Sequence, residues 1–438
     1  RVCHMIISSY YSAAKYGAAG DGKTNDAPAI QHAIDDCHAA GGGTVLLEGG
    51  HTYYSSSLTL RSNVNLHLEK GAVLKASSEL DSYFRPNKEK KDEGVNRVGT
   101  PVTLKPSYVF LYAKDAENIS VSGEGTIDGN YMAFVRRVSP YYVTGDFYPR
   151  PTMIYAEHCD HSVFRDITLT GAPFWTLHIA GCDDVGVFQL RILNPLDTAN
   201  SDGIDVDHSS NVRILGCHVE CADDTICLKT TAGNQEYGPT ENVIVSDCTL
   251  ISTSAAIKIG TEGVGDFRNV LVHHCIISRS NRGISVQIRD SGSVRNVVFS
   301  DIMIQTRRFA DCWWGTAEPI AVTSVNRDDE TVSGWISEVR FENITCCSEN
   351  GVLVAADDPG KIQDLTFRNV DVTICNRTKW PKNQYDFRPG IRQGVEDIPT
   401  AGFFLRRTWK VTFDHCRARA EDGVSLEGRE FVREQVNG

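Results

Sequence analysis

Three aspartates stand in two short polar segments, and their type and spacing suit acid–base chemistry. Asp202 lies in the segment NSDG, and Asp223 and Asp224 are neighbours 21 positions further on, in the segment ADDT. One carboxyl group can donate a proton while another accepts one, provided that the fold brings them together. Crowded carboxylates also raise each other's proton affinity, which keeps one of them protonated as an acid. The alternative is that Asn, Asp and Gly in NSDG only form a turn.

A repeat along the chain indicates which elements would hold these aspartates. Seven segments of alternating apolar and polar residues have the pattern of strands with one buried face, and they begin at Asn211, Asn242, Asn269, Asn296, Glu338, Asp364 and Lys410. Their starts are 31, 27, 27, 42, 26 and 46 residues apart, with loop-like insertions in two of the larger gaps. Leucine-rich repeats would show a leucine ladder, and propeller repeats are longer. We therefore predict an all-β fold, a right-handed parallel β-helix with one coil per repeat.

Helical periodicity is confined to NDAPAIQHAIDDCHAAGG near the N-terminus. We expect a helix there, with Asp26 as its N-cap, that covers the open end of the β-helix. Residues 14–60 would form this cap and the first coils of a single domain spanning residues 1–438. Long insertions at about 83–105, 130–151 and 376–400 would form loops beside a cleft. High walls of this kind would favour an exo-acting pocket.

Composition argues against several classes of partner. The net charge is −12, from 44 basic and 56 acidic residues spread along the chain, so neither nucleic acid nor an anionic membrane is expected as a partner. No apolar run approaches the ~18 residues of a spanning helix. The segment VCHMIISSYYSAA is not a complete signal peptide, and we expect any leader to have been removed. Fourteen cysteines, with N-glycosylation sequons at Asn118, Asn343 and Asn376, predict a secreted glycoprotein.

The cysteines within the repeats behave as apolar residues. Isoleucine or valine occupies the same repeat position in other copies, so we expect a buried column of free thiols at Cys217, Cys248, Cys275 and Cys416. Pairing of Cys221 with Cys227, or of Cys312 with a distant partner, stays open. Because no His/Cys cluster has zinc spacing, no metal is predicted.

The repeat also explains the spacing of the aspartates. Twenty-one residues is less than one coil, so Asp202 would lie one turn away from Asp223 and Asp224. Neighbouring coils are about 4.8 Å apart, which places the carboxyl groups between a few ångströms and ~10 Å from one another. That range suits an acid and a base on either side of a glycosidic bond; inverting enzymes hold them roughly 6.5 to 9.5 Å apart.

Residues 150–229 resemble glycoside hydrolase family 28, the polygalacturonase and rhamnogalacturonase family. The resemblance lies in RPTMIYAEHCDHSVFRDITLTGAPFWTLHIAGCDDV, NSDG and ADDTICLKT, and the N-terminal YGAAGDGKTNDAPAIQHAIDDCHAAGGGTVLL and the GTIDGN segment are also similar. It implies hydrolysis with inversion and no metal or other cofactor. Carried over, Asp223 would be the general acid, while Asp202 and Asp224 would hold and deprotonate water.

Two motifs depart from the polygalacturonase pattern. Where those enzymes have G-H-G, this chain reads STSAAIKIGTEG, with Ala255 in place of the histidine; where they have R-I-K, it reads NRGISVQIRD. The departure is compatible with a neutral or deoxy sugar, such as rhamnose, at this subsite. Charged and polar side chains near both motifs are the predicted substrate contacts: Lys258, Glu262, Arg282, Gln287 and Arg289.

The sequence thus predicts a secreted, monomeric, exo-acting glycosidase. Its substrate would be a pectin-type or related polysaccharide or oligosaccharide. One alternative is a polysaccharide lyase or epimerase on the same fold, which would depend on calcium held by carboxylates and on an arginine base. Another is a non-catalytic carbohydrate-binding solenoid, in which the missing histidine and cations would reflect a lost activity.

Overall fold

Two long parallel sheets dominate the fold in a computed structural model that describes residues 9–86, 105–145, 150–391 and 394–435. The first sheet has 22 strands in the described part of the chain: Tyr10–Ser12, Asp21–Asn25, Gly43–Leu47, Thr52–Ser55, Val64–Leu68, Val73–Ala76, Ser120–Gly123, Thr126–Asp128, Val163–Arg165, Thr168–Thr170, Asp183–Phe188, Arg191–Leu193, Ser210–Leu215, His218–Cys221, Thr240–Ser246, Thr249–Ser252, Phe267–Ser280, Val294–Thr306, Ile336–Ser348, Ile362–Ile374, Trp409–Asp414 and Arg417–Ala420.

The second sheet has 12 strands in the described part of the chain, and the aspartate segments lie at the N-terminal ends of two of its central strands. Its strands are Leu58–Thr59, Val109–Lys114, Thr152–Glu157, Leu177–Ala180, Ile204–Asp207, Ile226–Thr230, Ala255–Gly263, Arg282–Ile288, Ile320–Ser324, Val352–Ala356, Phe403–Arg406 and Phe431–Glu434. The described 3₁₀ turns are Ala13–Tyr16, Leu80–Ser82, Tyr131–Ala133 and Ala232–Tyr237. Each strand pairs in parallel with the strand one coil away, which confirms the predicted parallel β-helix.

The seven repeat segments stack in register. One buried position runs from coil to coil through Val212, Val243, Val270, Val297, Val339, Leu365 and Val411. Two positions further along the strands, Phe299, Phe341 and Phe367 stack with ring centroids 5.2 and 4.8 Å apart. The alternation in the sequence therefore marks the inward face of each coil. A contiguous apolar cluster runs from Ala13 to Leu426.

Three of the four cysteines of the predicted column are buried. Cys275 pairs in register with Ile302, which in turn pairs with Ile344. Cys217 and Cys248 are buried like Cys275, and Cys416 is half-buried. Every cysteine within the described ranges is a free thiol, so the possible pairings of Cys221, Cys227 and Cys312 do not occur there.

The α-helix Ala27–Ala39 covers the N-terminal end, and its buried face is formed by Ala27, Ile30, Ala33, Ile34 and Cys37. This confirms the predicted helix. Asp26 is the N-cap residue, as predicted, but its carboxylate accepts no hydrogen bond from the helix. It accepts instead from the backbone N–H groups of Ala19 and Gly20, at 2.6 and 3.0 Å, since the preceding loop folds back over it.

The predicted insertions are described in part. Residues 87–104 of the first insertion, 146–149 of the second and 392–393 of the third lie outside the described residues. The second carries the hairpin Arg136–Ser139 and Tyr142–Thr144, and the third carries Gln384–Asp386 and Val395–Asp397. Val143 donates a backbone hydrogen bond to Asp197 and accepts one from Ala199, at 2.7 and 2.8 Å. The second insertion is thereby joined to the segment that leads into Asp202. In the described parts of the chain, no helix is long and apolar enough to cross a membrane.

Candidate active site

Two adjacent strands of the second sheet bring the aspartates together. Asp202 lies two residues before the strand Ile204–Asp207, and Asp224, next to Asp223, lies two residues before the strand Ile226–Thr230. These two strands pair in parallel. The Gly203 N–H donates to the Asp224 carbonyl at 2.9 Å. A Cβ on Gly203 would lie 2.4 Å from the carbonyl oxygen of Thr225, so only glycine permits this approach. Asp202, Asp223 and Asp224 each place a carboxylate oxygen within 4.8 Å of the other two.

The three aspartates differ in accessibility. Asp202 and Asp224 are 2% and 1% exposed, whereas Asp223 is only half-buried. The Asp223 carboxylate accepts hydrogen bonds from the backbone N–H groups of Asn200 and Asp224, both at 3.1 Å. These bonds fix its orientation and leave Asp223 as the most accessible of the three carboxyl groups.

Two buried lysines lie against this cluster. The Lys258 ammonium is 2.9 Å from Asp224 Oδ2. Lys229 Nζ is 2.9 Å from Glu262 Oε2 and 3.7 Å from Asp202 Oδ2. The predicted residues Lys258 and Glu262 therefore belong to the same charge network as the aspartates, and each contacts a charged protein group.

Burial and mutual repulsion perturb the carboxyl groups. Burial, and then the neighbouring Asp224, raise the pKa of Asp223 above its usual value. Burial, followed by Asp205 and Asp223, raises the pKa of Asp202 well above its usual value, and Lys229 opposes this. Burial raises the pKa of Glu262 as well, but Lys229 and Arg327 outweigh it and lower that pKa to about 2. Burial and repulsion thus favour the protonated forms of Asp223 and Asp202, Lys229 opposes protonation at Asp202, and Glu262 stays ionised.

Sequence reasoning missed two members of the network, Asp205 and Lys229. Asp205 is fully buried, neither of its carboxylate oxygens has a hydrogen-bond partner, and Asp205 Oδ1 lies 3.8 Å from Lys229 Nζ. Lys229 also lies over the ring of Trp175, 4.6 Å from its centroid. Because strand residues alternate between two faces, polar residues inside IDVD and ICLKT were a signal that these strands place charge outward.

The predicted contacts Arg282 and Arg289 make buried contacts with protein groups. Arg282 Nε is 3.1 Å from Glu318 Oε2, and its NH2 donates to the Asp386 carbonyl at 2.6 Å. Arg289 is fully buried and donates to Thr323 Oγ1 at 3.0 Å and to the Phe387 carbonyl at 3.4 Å. Burial, and then Arg327, lower the pKa of Arg289 to about 9. These contacts join the third insertion to the second sheet.

An aromatic cluster forms a wall beside the carboxylates. The second and third insertions contribute to it, as does the loop between Val294–Thr306 and Ile320–Ser324. Its members pack against Ala199 and Ala222: Tyr141, Tyr142, Phe309, Trp313 and Trp380. The Trp313 indole donates to the Tyr141 carbonyl at 2.9 Å. Burial, and then the charge of Asp223, raise the pKa of the Tyr142 phenol. The wall therefore stands next to the most accessible carboxyl group.

Comparison with known proteins identifies the family. The sequence profile described as Glycosyl hydrolases family 28 matches residues 62–386. The chain belongs to this family. The family confirms the resemblance and the predicted enzyme class, a glycosidase.

Several relatives of this family 28 chain are polygalacturonases by name. It is 28% identical over 265 residues to a probable polygalacturonase of Vitis vinifera, covering 56% of this chain and 50% of the relative. It is 25% identical over 357 residues to an endo-polygalacturonase of Pectobacterium carotovorum subsp. carotovorum, covering 78% and 83%. The match thus spans about half the length of the Vitis relative, and also 53% of a probable polygalacturonase of Arabidopsis thaliana.

Solved structures share the fold. A family 28 exopolygalacturonase of Yersinia enterocolitica superposes with a TM-score of 0.73 at 16% identity, covering 98% of this chain and 77% of that one. An exopolygalacturonase of Thermotoga maritima gives 0.66 at 19% identity, covering 84% and 87%. At these identities the likeness shows the fold alone.

The departures from the family pattern fall around Asp224. Ala255, at the predicted position of the histidine, donates its backbone N–H to Asp224 Oδ1 at 3.3 Å. Lys258, three residues further on in this family 28 chain, supplies a cation to the same carboxylate. Ser285 pairs in register with Lys258, and the Ser285 hydroxyl and the Gln287 amide nitrogen are buried without hydrogen-bond partners.

Proposed function

We propose that this protein is a secreted, inverting glycoside hydrolase that cleaves pectin-type or related polysaccharides or oligosaccharides. Asp223 is the general acid, and Asp202 and Asp224 together activate the attacking water. The observation that carries the proposal is the trio of carboxyl groups within 4.8 Å of one another, of which Asp223 is the accessible one. A general acid must hold its proton near the operating pH, and the raised pKa of Asp223 meets that need.

The proposed reaction transfers one proton in each direction. Asp223 gives its proton to the glycosidic oxygen as the bond between that oxygen and the anomeric carbon breaks. A water between Asp202 and Asp224 gives a proton to one of these carboxylates as its oxygen bonds to the anomeric carbon from the opposite face. Proton exchange with solvent then restores both groups. Positioned acid–base groups of this kind contribute about 10² to 10⁴ in rate.

The tight spacing of the carboxylates favours a second candidate, a retaining hydrolase. Retaining enzymes hold their two carboxyl groups about 5 to 5.5 Å apart. That range is closer than the inverting range to carboxylate oxygens that all lie within 4.8 Å of one another. Two carboxylates beside one water site, with a third reserved as acid, support inversion instead. Proton NMR of the first product decides, because inversion and retention give opposite anomers. Retention of the anomeric configuration would refute the water-activating role of Asp202 and Asp224.

We propose that no metal takes part. Three close carboxylates are also a donor set that hard divalent cations use, but Lys258 and Lys229 already place ammonium groups against Asp224 and Asp202. Those cations supply the charge neutralisation that a metal would otherwise provide. Activity that survives a chelator supports this, whereas activity lost on chelation and restored by calcium contradicts it.

A neutral or deoxy sugar is the proposed occupant of the subsite near Lys258. Within the described residues, Lys258 bonds to Asp224, Lys229 to Glu262 and Arg282 to Glu318. Their charges are therefore matched by protein carboxylates, and Gln287 offers a neutral amide donor without a partner. The aromatic wall beside Asp223 supports an exo-acting pocket. A smooth ladder of oligosaccharides early in digestion would contradict exo action.

The decisive experiment is digestion of polygalacturonan, rhamnogalacturonan, arabinan, galactan and dextran, with and without chelator. Reducing ends and ultraviolet absorbance are followed together. We expect new reducing ends without absorbance, abolished by Asp223→Asn and unaffected by Asp358→Asn at an exposed surface turn. Asp223→Asn with most of its activity would refute the assignment. Absorbance that requires calcium would indicate a lyase, and binding without turnover would indicate a carbohydrate-binding solenoid.

Secretion, N-glycosylation and a monomeric state complete the proposal. The three sequon asparagines, Asn118, Asn343 and Asn376, are all exposed, so each is open to a glycan. Expression in a secreting eukaryotic host, with mass spectrometry before and after glycan removal, tests the glycans. Light scattering of the secreted protein tests the monomer, and a mass of two or more chains would contradict it.

A further inference from the structure

Lys229 occupies the centre of the charge network without bonding directly to any of the three proposed catalytic aspartates. It is 3% exposed, and its shortest polar contact is the 2.9 Å ion pair with Glu262. Asp202 and Asp205 lie further away, at 3.7 and 3.8 Å, on the strand segment one coil earlier. The ring of Trp175 lies against the ammonium, 4.6 Å away. Glu262 and Trp175 thus hold the cation where it faces both aspartates.

The balance of charge makes this position important. Five carboxyl groups and two ammonium groups share the buried site in the described part of the chain. The charged or titratable groups that interact with Lys229 or Asp202 from the neighbouring strands and turns, or with Glu262 behind them, are Asp205, Asp223, Asp224, Cys221, Cys227, Lys258 and Arg327. Lys258 is bonded to Asp224. Lys229 is therefore the cation closest to Asp202 among these groups.

We propose that Lys229 is a positioning residue for the reaction, because its ammonium, 3.7 Å from Asp202, opposes protonation of the carboxyl group that takes a proton from water. This inference rests on the proposed function, in which Asp202 acts as part of the base. Glu262 keeps the ammonium at a distance from Asp202 and shares its charge. Lys229 and Glu262 together therefore set the pH below which Asp202 becomes protonated.

Asp205 does not compete for this charge in the proposed arrangement. Its carboxyl group is fully buried and neither oxygen accepts a hydrogen bond. A buried carboxylate without hydrogen bonds is strongly disfavoured relative to the neutral acid. Asp205 is then neutral, and the ammonium of Lys229 is divided between Glu262 and Asp202.

The test compares the pH dependence of kcat/KM for Lys229→Met, Lys229→Arg and the wild type. An opposite charge within about 4 to 6 Å lowers a carboxyl pKa by one to three units. Without Lys229, Asp202 binds its proton more tightly, so the acid limb of the profile moves about one to three pH units upward. At a pH below both the old and the new limb, activity falls about 10-fold for each unit of that displacement. Lys229→Arg keeps the charge and leaves the limb near its original pH.

Lys105→Met is the matched control. Lys105 is also a shielded lysine that contacts a buried carboxylate, at 2.6 Å from Glu157, and it lies 5.4 Å from the Tyr237 ring centroid. Glu157 is three coils away from Lys229 along the second sheet. Loss of Lys105 can lower stability but leaves the acid limb of the pH profile unchanged. This control therefore separates a structural effect from the proposed effect on Asp202.

Glu262→Gln tests the same idea in the opposite direction and does not remove the buried cation. Without the Glu262 charge, Lys229 acts more strongly on Asp202, so the acid limb moves to lower pH. Opposite displacements in Lys229→Met and Glu262→Gln are the expected result. If Lys229→Met and Glu262→Gln both hydrolyse the substrate with the same acid limb as the wild type, the positioning role of Lys229 is refuted.

A readout without substrate separates this inference from the proposed function. Infrared absorption of protonated carboxyl groups, measured near neutral pH, should increase in Lys229→Met relative to both the wild type and Lys105→Met. If the wild type hydrolyses no glycan, the proposed function fails, while an increase still supports the coupling of Lys229 to the buried carboxyls. If the wild type is active but Lys229→Met changes neither the acid limb nor the infrared signal, only the proposed role of Lys229 is refuted.

Discussion

Replacing Asp205 with asparagine should stabilise the protein at neutral pH. The Asp205 carboxyl is fully buried and makes no hydrogen bond, and burial raises its pKa well above the usual value, against the opposing charge of Lys229. Above about pH 4 the unfolded chain releases this proton, whereas the folded protein retains it. The folded state is therefore penalised as the pH rises, and asparagine removes the penalty because it does not titrate.

The magnitude follows from these contacts. Lys229 Nζ lies 3.8 Å from Asp205 Oδ1, which corresponds to about 4 kcal/mol of attraction at an effective dielectric of about 20. Desolvation of a buried ion costs several kcal/mol, and two unbonded oxygens add to that cost. The difference in unfolding free energy should grow by up to about 1.4 kcal/mol per pH unit above pH 4. We expect a gain on the order of 1 to 3 kcal/mol at neutral pH for Asp205→Asn.

Urea unfolding between about pH 4 and pH 8, followed by circular dichroism, measures the effect. Asp386→Asn is the matched control, because Asp386 is equally buried but bonds to Gly315 N at 2.6 Å and to Arg388 NH2 at 2.8 Å. Although burial raises the pKa of Asp386, Arg388 and Arg282 lower it below the usual value. That variant should lose about 3 to 5 kcal/mol at neutral pH, and the loss should fade as the pH falls through the carboxyl range. An Asp205→Asn variant that is less stable than the wild type, with no gain as the pH rises, would refute the reasoning.

Three further predictions concern the site and the core. Lys258→Met leaves Asp224 buried without its 2.9 Å partner. The free energy of unfolding in urea should therefore fall by about 3 to 5 kcal/mol, and kcat should fall as well. Wild-type values for both would contradict a role for the ion pair. Phe341→Ala interrupts the aromatic stack and should lower the free energy of unfolding by about 3 to 5 kcal/mol. The control Ile244→Ala, at a side chain that is 39% exposed, should change stability far less. Equal losses would show that the stack does not stabilise the coils. The exposed Cys312 should react with a thiol reagent in the native protein, while Cys217, Cys248 and Cys275 should react only after unfolding; peptide mapping checks this, and early labelling of the column would contradict its burial.

Local pattern was sufficient to predict the coils. A strand with one buried face must alternate, and stacking repeats the same inward position at every coil, so the Val and Phe positions of the seven segments could be read from their spacing. The grouping of Asp202 with Asp223 and Asp224 follows from the same regularity, because their separation is slightly less than one coil. Polar residues inside IDVD and ICLKT carried a weaker signal for Asp205 and Lys229. Their partners could not be named, since those partners come from other coils.

Tertiary structure alone decided which charged side chains are paired with other protein groups. Arg289 directly follows the strand Arg282–Ile288 and is buried because the third insertion folds over it and supplies carbonyl oxygens from Phe387 and Pro389. The same insertion also binds Arg282, whose guanidinium donates a hydrogen bond to the Asp386 carbonyl. Likewise, Asp26 stands at the N-cap position of the helix, but its carboxylate accepts hydrogen bonds from the backbone of the preceding loop. The physical reason is common to all three: a strand or helix sets the direction of a side chain through local geometry, whereas its partner is set by loops whose paths depend on the whole fold.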